Sequence, residues 1–163
     1  MQDHLINAIS SGFYGEWTHI DPKYALIGLT PSNARKKPDG SAHSCWELLH
    51  HIVIWQDTII RHIQGETLNW NDIEAKDNWP TTESMKDDSN FSTLLVRFYS
   101  GVEKATMLLT SVDFLKTSGG FPELSTIKLY IVLLQHTSYH IGQIITVRQC
   151  LGDSPKPPNP NDN

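Results

Sequence analysis

Eight of the 163 residues are histidine, and three of them stand where their rings can meet. His136 and His140 lie four residues apart in a stretch where Leu129, Leu133, Gln143 and Val147 follow the same steps of three and four. Residues so spaced share one face of a helix, one turn above another. A second stretch puts Leu48, His51, Trp55 and Thr58 on one face, so His51 is also directed inward. An imidazole taken out of water must have its nitrogens satisfied again. A divalent metal takes one nitrogen of each ring, and a carbonyl or side chain takes the other. Spacing alone leaves two readings open. The three are metal ligands, or they are core histidines bonded to carbonyls and water, because pairs at i,i+4 are common zinc ligands but not diagnostic.

Two known metal patterns are excluded. A zincin protease needs HExxH, whereas this stretch reads His136-Thr137-Ser138-Tyr139-His140, with no glutamate to serve as base. A di-iron bundle needs ExxH on two helices. Glu47 to His50 supplies one, but the segment from Ser125 to Leu151 contains no Asp or Glu. Three neutral imidazoles leave coordination positions open, as in catalytic or ligand-binding centres. A metal held that way can bring bound water to a pKa of about 7.

Other residues carry a functional and a plainer reading side by side. Gln143 could position a water or substrate, or bond a neighbouring helix. Tyr139 could support His140, or simply lie at an interface. Glu47 could be a fourth ligand or a base, but Ser44-Cys45-Trp46-Glu47 is also a capping box that accounts for it. Cys45 sits where a helix dipole lowers a thiol pKa, and is read as a small packing residue. His19 and His43 could approach the mouth of the site, or be ordinary exposed histidines. Trp70 and Trp79 could line a pocket rim, but are read as anchors of a long loop. His4 and His62 are read as surface residues.

The elements that must hold these residues are helices. The first runs over Asp3 to Phe13, is interrupted by Gly12 and Gly15, and restarts at Asp21-Pro22. The second opens at Ser44 and stops at Gly65. A polar loop from Gly65 to about Thr82 follows; loops of that length usually cover something. The third helix spans Ser89 to Val112, with a seam of Phe91, Leu94, Phe98, Val102, Ala105 and Leu109. The fourth spans Ser125 to Leu151, with Gly152 as its stop. The expected fold is all-α, an antiparallel four-helix bundle over residues 1–152, followed by a disordered polar tail over 153–163. The net charge of −5, without a basic stripe, speaks against nucleic acid as a partner. No apolar run reaches the roughly 18 residues of a membrane span, and the first residues do not read as a secretion signal. A cytoplasmic protein with two free thiols, Cys45 and Cys150, is the expectation.

The segment from His43 to Ile52, then Trp55-Gln56-Asp57, Trp79-Pro80, and His136-Thr137-Ser138-Tyr139-His140-Ile141-Gly142-Gln143 with Arg148 and Leu151-Gly152, resembles the DinB-like family of four-helix metalloproteins. The resemblance runs in order from about His19 to Gly152, and the H-x-x-Y-H-x-G-Q segment is its most specific part. It implies that His51, His136 and His140 bind the metal, and it chooses His51 over His50. His50 stands where many relatives carry another polar residue, often glutamate, so its role stays open. The resemblance implies one divalent transition metal, zinc or nickel foremost and iron as a further option. Some related bundles are transferases or isomerases that use low-molecular-weight thiols. The leading expectation is therefore a metal-dependent enzyme on a small molecule, of thiol transferase or hydrolase type, forming a homodimer. The alternative is a non-catalytic, stress-related protein that binds a metal or a small ligand. A helical interaction module with core histidines is the third reading.

Overall fold

The structure, a computed structural model, describes residues 2–155; most of the expected tail lies outside the described residues. Seven α-helices carry the described chain: α1 (Gln2–Phe13), α2 (Pro22–Leu26), α3 (Pro31–Ala34), α4 (Cys45–Ile63), α5 (Trp70–Asp77), α6 (Asp88–Leu108) and α7 (Thr126–Cys150). The protein is thus mostly helical, as its periodicity predicts.

The caps read from the sequence are present. The Ser44 hydroxyl accepts from the Glu47 amide at 3.3 Å, and the Glu47 carboxylate accepts from the Ser44 amide at 2.7 Å. Asp21 accepts from the Lys23 amide and Pro22 opens α2, the restart expected there. α6 ends at Leu108, short of the expected Val112, yet Leu109 is still fully buried just beyond it. The stretch from Gly65 to Thr82 is not the plain loop expected. It holds α5, whose first amide turn is capped by the Asn69 side chain. α5 has no buried residue, so no apolar period could announce it.

α5 is preceded by β1 (Leu68–Asn69), which pairs in parallel with β2 (Gly120–Phe121). Gly120 has φ +93, and a Cβ there would meet the Leu68 carbonyl oxygen at 2.1 Å. Only glycine permits that approach.

α4 is the central helix, packed on α7 and on α6. α4 and α7 run antiparallel: Cys45 reaches the Ile144 carbonyl, and His51 meets His136. α4 and α6 run in the same direction, since Trp46 packs on Phe91 and Gln56 lies against Gly101. α1 likewise follows α7, with Leu5 near Ile127 and Gly12 against Leu134. The antiparallel expectation therefore describes the α4–α7 pair but not α4–α6. The long connection between α4 and α6 has length enough to return the chain to the same end.

The core is in two parts. One surrounds Trp46 and takes α4 as far as Val53 and α7 from Ile141 onward. The other surrounds Tyr130 and takes α4 from Ile59 and α7 up to Leu133. Between them the α4–α7 seam turns polar, and His51, His136 and His140 occupy that gap.

His62, expected on the surface, is buried. Its Nε2 donates to the Gly119 carbonyl at 2.6 Å, and its Nδ1 accepts from Trp70 Nε1 at 3.1 Å. Both ring nitrogens are satisfied, so burial costs little. The partners are the first residue of α5 and a residue just before β2, which the periodicity of α4 does not reveal. Among the described residues, no helix is long and apolar enough to cross a membrane.

Candidate metal centre

α4 brings in His51, and α7 brings in His136 and His140, one turn apart. One ring nitrogen from each lies within 4.8 Å of the others. Nitrogens sharing one metal at about 2.0–2.1 Å sit roughly 3–3.5 Å apart, and His51 Nε2 to His136 Nε2 is 3.0 Å. Three imidazoles in this arrangement can hold one metal ion.

The outer nitrogens decide which atoms face inward. His51 Nδ1 donates to the Asn78 carbonyl at 3.2 Å, and His140 Nδ1 donates to Gln143 Oε1 at 2.6 Å. A neutral imidazole with its proton on Nδ1 presents a lone pair at Nε2. Both rings are thereby set with an acceptor nitrogen toward the shared centre. In the metal-free triad, His136 must give its Nε2 proton to His51, and its buried Nδ1 then has no partner. An ion shared by the three rings removes the need for that proton, so the donor set fits a divalent metal of the kind imidazole prefers.

The environment keeps the rings neutral. Burial, then the nearby His140, pushes His51 down to about 4. Burial, then His140 and His51, pushes His136 down to about 3. His140 is also lowered, chiefly by burial, with the Gln143 bond acting the other way. Neutral imidazole is the ligating form.

The segment after α5 fixes His51 from outside. The Asn78 carbonyl takes its proton, and the Asn78 side-chain oxygen takes Trp55 Nε1–H at 2.8 Å. Trp79 stacks on the His51 ring at 4.4 Å, and His43 stacks on the far face of Trp79 at 3.7 Å. His50 points away from the triad and donates to the Asp77 carbonyl at 3.0 Å. Sequence reasoning missed Asn78; nothing in its spacing marks it, because it reaches His51 from 27 residues away through the turn after α5.

The remaining residues separate cleanly. Gln143 bonds His140 and also reaches the Tyr139 hydroxyl at 3.3 Å, so both support the site from the solvent side. Glu47 is held by the Ser44 cap and by Lys37. Burial opposes its charge, but the Ser44 amide and Lys37 outweigh that and leave its pKa below the ordinary value. His19 lies apart, bonded to Ser138 and the Ile20 carbonyl. Cys45 is buried against Ile144 and is a packing residue.

The three histidines open into a cavity of about 290 Å³ shared with Trp55, Trp70, Glu74 and Asn78. A larger hollow of about 510 Å³ lies further along α7, lined by His43, Tyr139 and Gln143, and holds none of the three. The two hollows flank the His140–Gln143 bond.

A family model described as the DinB superfamily matches residues 23–144, a span that contains all three histidines and Gln143. No curated protein matches the chain.

Proposed function

The chain belongs to the DinB superfamily, and from that membership and the histidine geometry we propose that it is a metal-dependent enzyme acting on a small molecule, of thiol transferase or hydrolase type. His51, His136 and His140 are its metal ligands, zinc or nickel its ion, with iron a further option. The carrying observation is that His51 and His140 each spend Nδ1 on a carbonyl oxygen and keep Nε2 for the shared centre. Three ligands on two facing helices are consistent with a DinB-like four-helix bundle built around the site.

The bound ion would supply a Lewis acid able to make water or a thiol nucleophilic near neutral pH. The chain's own residues do the rest. Gln143 and Asn78 fix the ring planes, Trp79 stacks on His51, and Trp55 and Trp70 wall the cavity. Glu47 is committed to its cap, and α7 brings no carboxylate, so the chain supplies no fourth ligand on the seam. The partner is a small-molecule substrate or a low-molecular-weight thiol. A homodimer is the assembly we favour.

The test is metal content. Untagged protein purified without chelator carries close to one transition metal per chain by elemental analysis. His136→Ala and His140→Ala each lose most of it while keeping the helical circular dichroism. Unchanged metal in both variants rejects the assignment.

A further inference from the structure

The cavity over the triad has an unusual polarity. Among the described residues its lining has one ionised side chain, Glu74, which α5 presents exposed to solvent. Trp55 and Trp70 form its walls, in an edge-on pair with ring centroids 5.3 Å apart. Neither indole N–H is free for a ligand. Trp55 Nε1 donates to the Asn78 side-chain oxygen, and Trp70 Nε1 donates to His62. The Asn78 carbonyl is taken by His51. What the walls offer is therefore two π faces and a carboxylate, with no lysine or arginine.

A π face and a carboxylate both attract positive charge and repel negative charge. His62 is what holds Trp70 in this pose, bridging it to Gly119 across the β1–β2 pair. The lining is thus fixed from behind rather than assembled by the ligand.

We infer that the triad cavity selects ligands that carry an ammonium group beside their metal-binding atom, with Glu74 as the specificity residue and Trp55 and Trp70 as the walls of the cation site. Aminothiols and related amines fit, with the ammonium toward Glu74. In a thiol ending in a carboxylate the second charge faces like charge at Glu74, while the attraction of the ion for the sulfur is common to all of them. The inference rests on the metal reading of the triad, and the experiment keeps the two apart.

The full-length chain is loaded with cobalt, and its visible spectrum is titrated with three thiols of similar size: cysteamine, 2-mercaptoethanol and 3-mercaptopropionate. Their thiol acidities differ, so the deciding quantity is each thiol's affinity in a variant relative to wild type. Glu74→Gln weakens cysteamine by about two- to five-fold, the range of one exposed ion pair, and leaves 2-mercaptoethanol unchanged. Glu74→Lys strengthens 3-mercaptopropionate and weakens cysteamine. Glu74 is exposed on a helix with no buried residue, so both variants keep the fold. Equal effects of Glu74→Gln on all three thiols, or none on cysteamine, overturn the inference and leave the metal site standing. Failure to take up cobalt removes the metal reading and the inference together, whereas a cobalt spectrum that ignores every thiol leaves a closed metal site and overturns the inference.

Discussion

At the scale of single residues, the triad is held neutral by its surroundings, and that makes stability depend on pH with a definite sign. In the metal-free chain His51 titrates at about 4 and His136 at about 3, against an ordinary 6.5 that unfolding restores. Between those values the unfolded state binds more protons. Each ring's contribution is complete above about pH 6.5 and is lost as the pH falls toward the folded values. Calorimetry in chelator should show the melting temperature falling from about pH 7 to about pH 4, with a shallower fall in His136→Gln. An identical slope in that variant would remove the triad as the cause. The two cysteines make a second case. Burial, opposed by Arg148 and aided by Asp153, pushes the Cys45 thiol up to about 11, whereas Cys150 is exposed. A thiol reagent at mildly alkaline pH should label Cys150 alone in the native protein and both after denaturation. Native labelling of Cys45 would contradict its burial.

At the scale of elements, the α4–α6 contact carries an internal conflict. Gln56 is buried and neither of its amide atoms has a partner. It reaches Gly101, where a Cβ would stand 2.3 Å from its Oε1. The glycine is favoured by this approach and not by its φ, since a Cβ there must push the far end of the buried Gln56 side chain aside. Gly101→Ala should therefore cost about 1–3 kcal/mol by overpacking, measured by urea unfolding. Gln56→Ala combined with Gly101→Ala should cost less than the sum of the single changes, because the clash is with the glutamine. Additive costs would show that Gly101 serves some other purpose. The parallel course of α4 and α6 is an element-scale result as well. The crossover it requires carries α5, and α5 delivers Asn78 and Glu74 to the cavity. The same segment thus returns the chain and builds one wall of the site.

At the scale of the whole molecule, the faces away from the α4–α7 seam leave large apolar groups in water. Val96 and Met107 on α6 are about two-thirds exposed, and Trp17 and Leu115 more so. Such groups scattered singly are ordinary, but a contiguous set is a contact surface. The homodimer proposed above would cover part of this surface. Light scattering over a dilution series should give twice the chain mass at micromolar concentration, and Met107→Glu should shift the midpoint upward. A monomer at every concentration would reject the dimer and leave the proposed metal centre untouched, since all three histidines come from one chain.

Periodicity and capping were enough to read most of the helical framework and to set His51, His136 and His140 facing inward. These are local properties: a step of three or four decides a face, and Ser44 with Glu47 decides where a helix begins. The H-x-x-Y-H-x-G-Q pattern likewise lies within one helix, so it could be matched to a family without coordinates. What the sequence could not supply was everything made between distant segments. α5 escaped because a helix with no buried residue leaves no apolar period. His62 was misread because its partners, Trp70 at the start of α5 and Gly119 just before β2, lie outside its own helix, and burial of a polar ring is cheap only once both are in place. The direction of α6 depends on a crossover whose path has no signature in residue type. Asn78 and Glu74 reach the cavity only through that path, so the residues that orient and select at the site were decided by the tertiary structure.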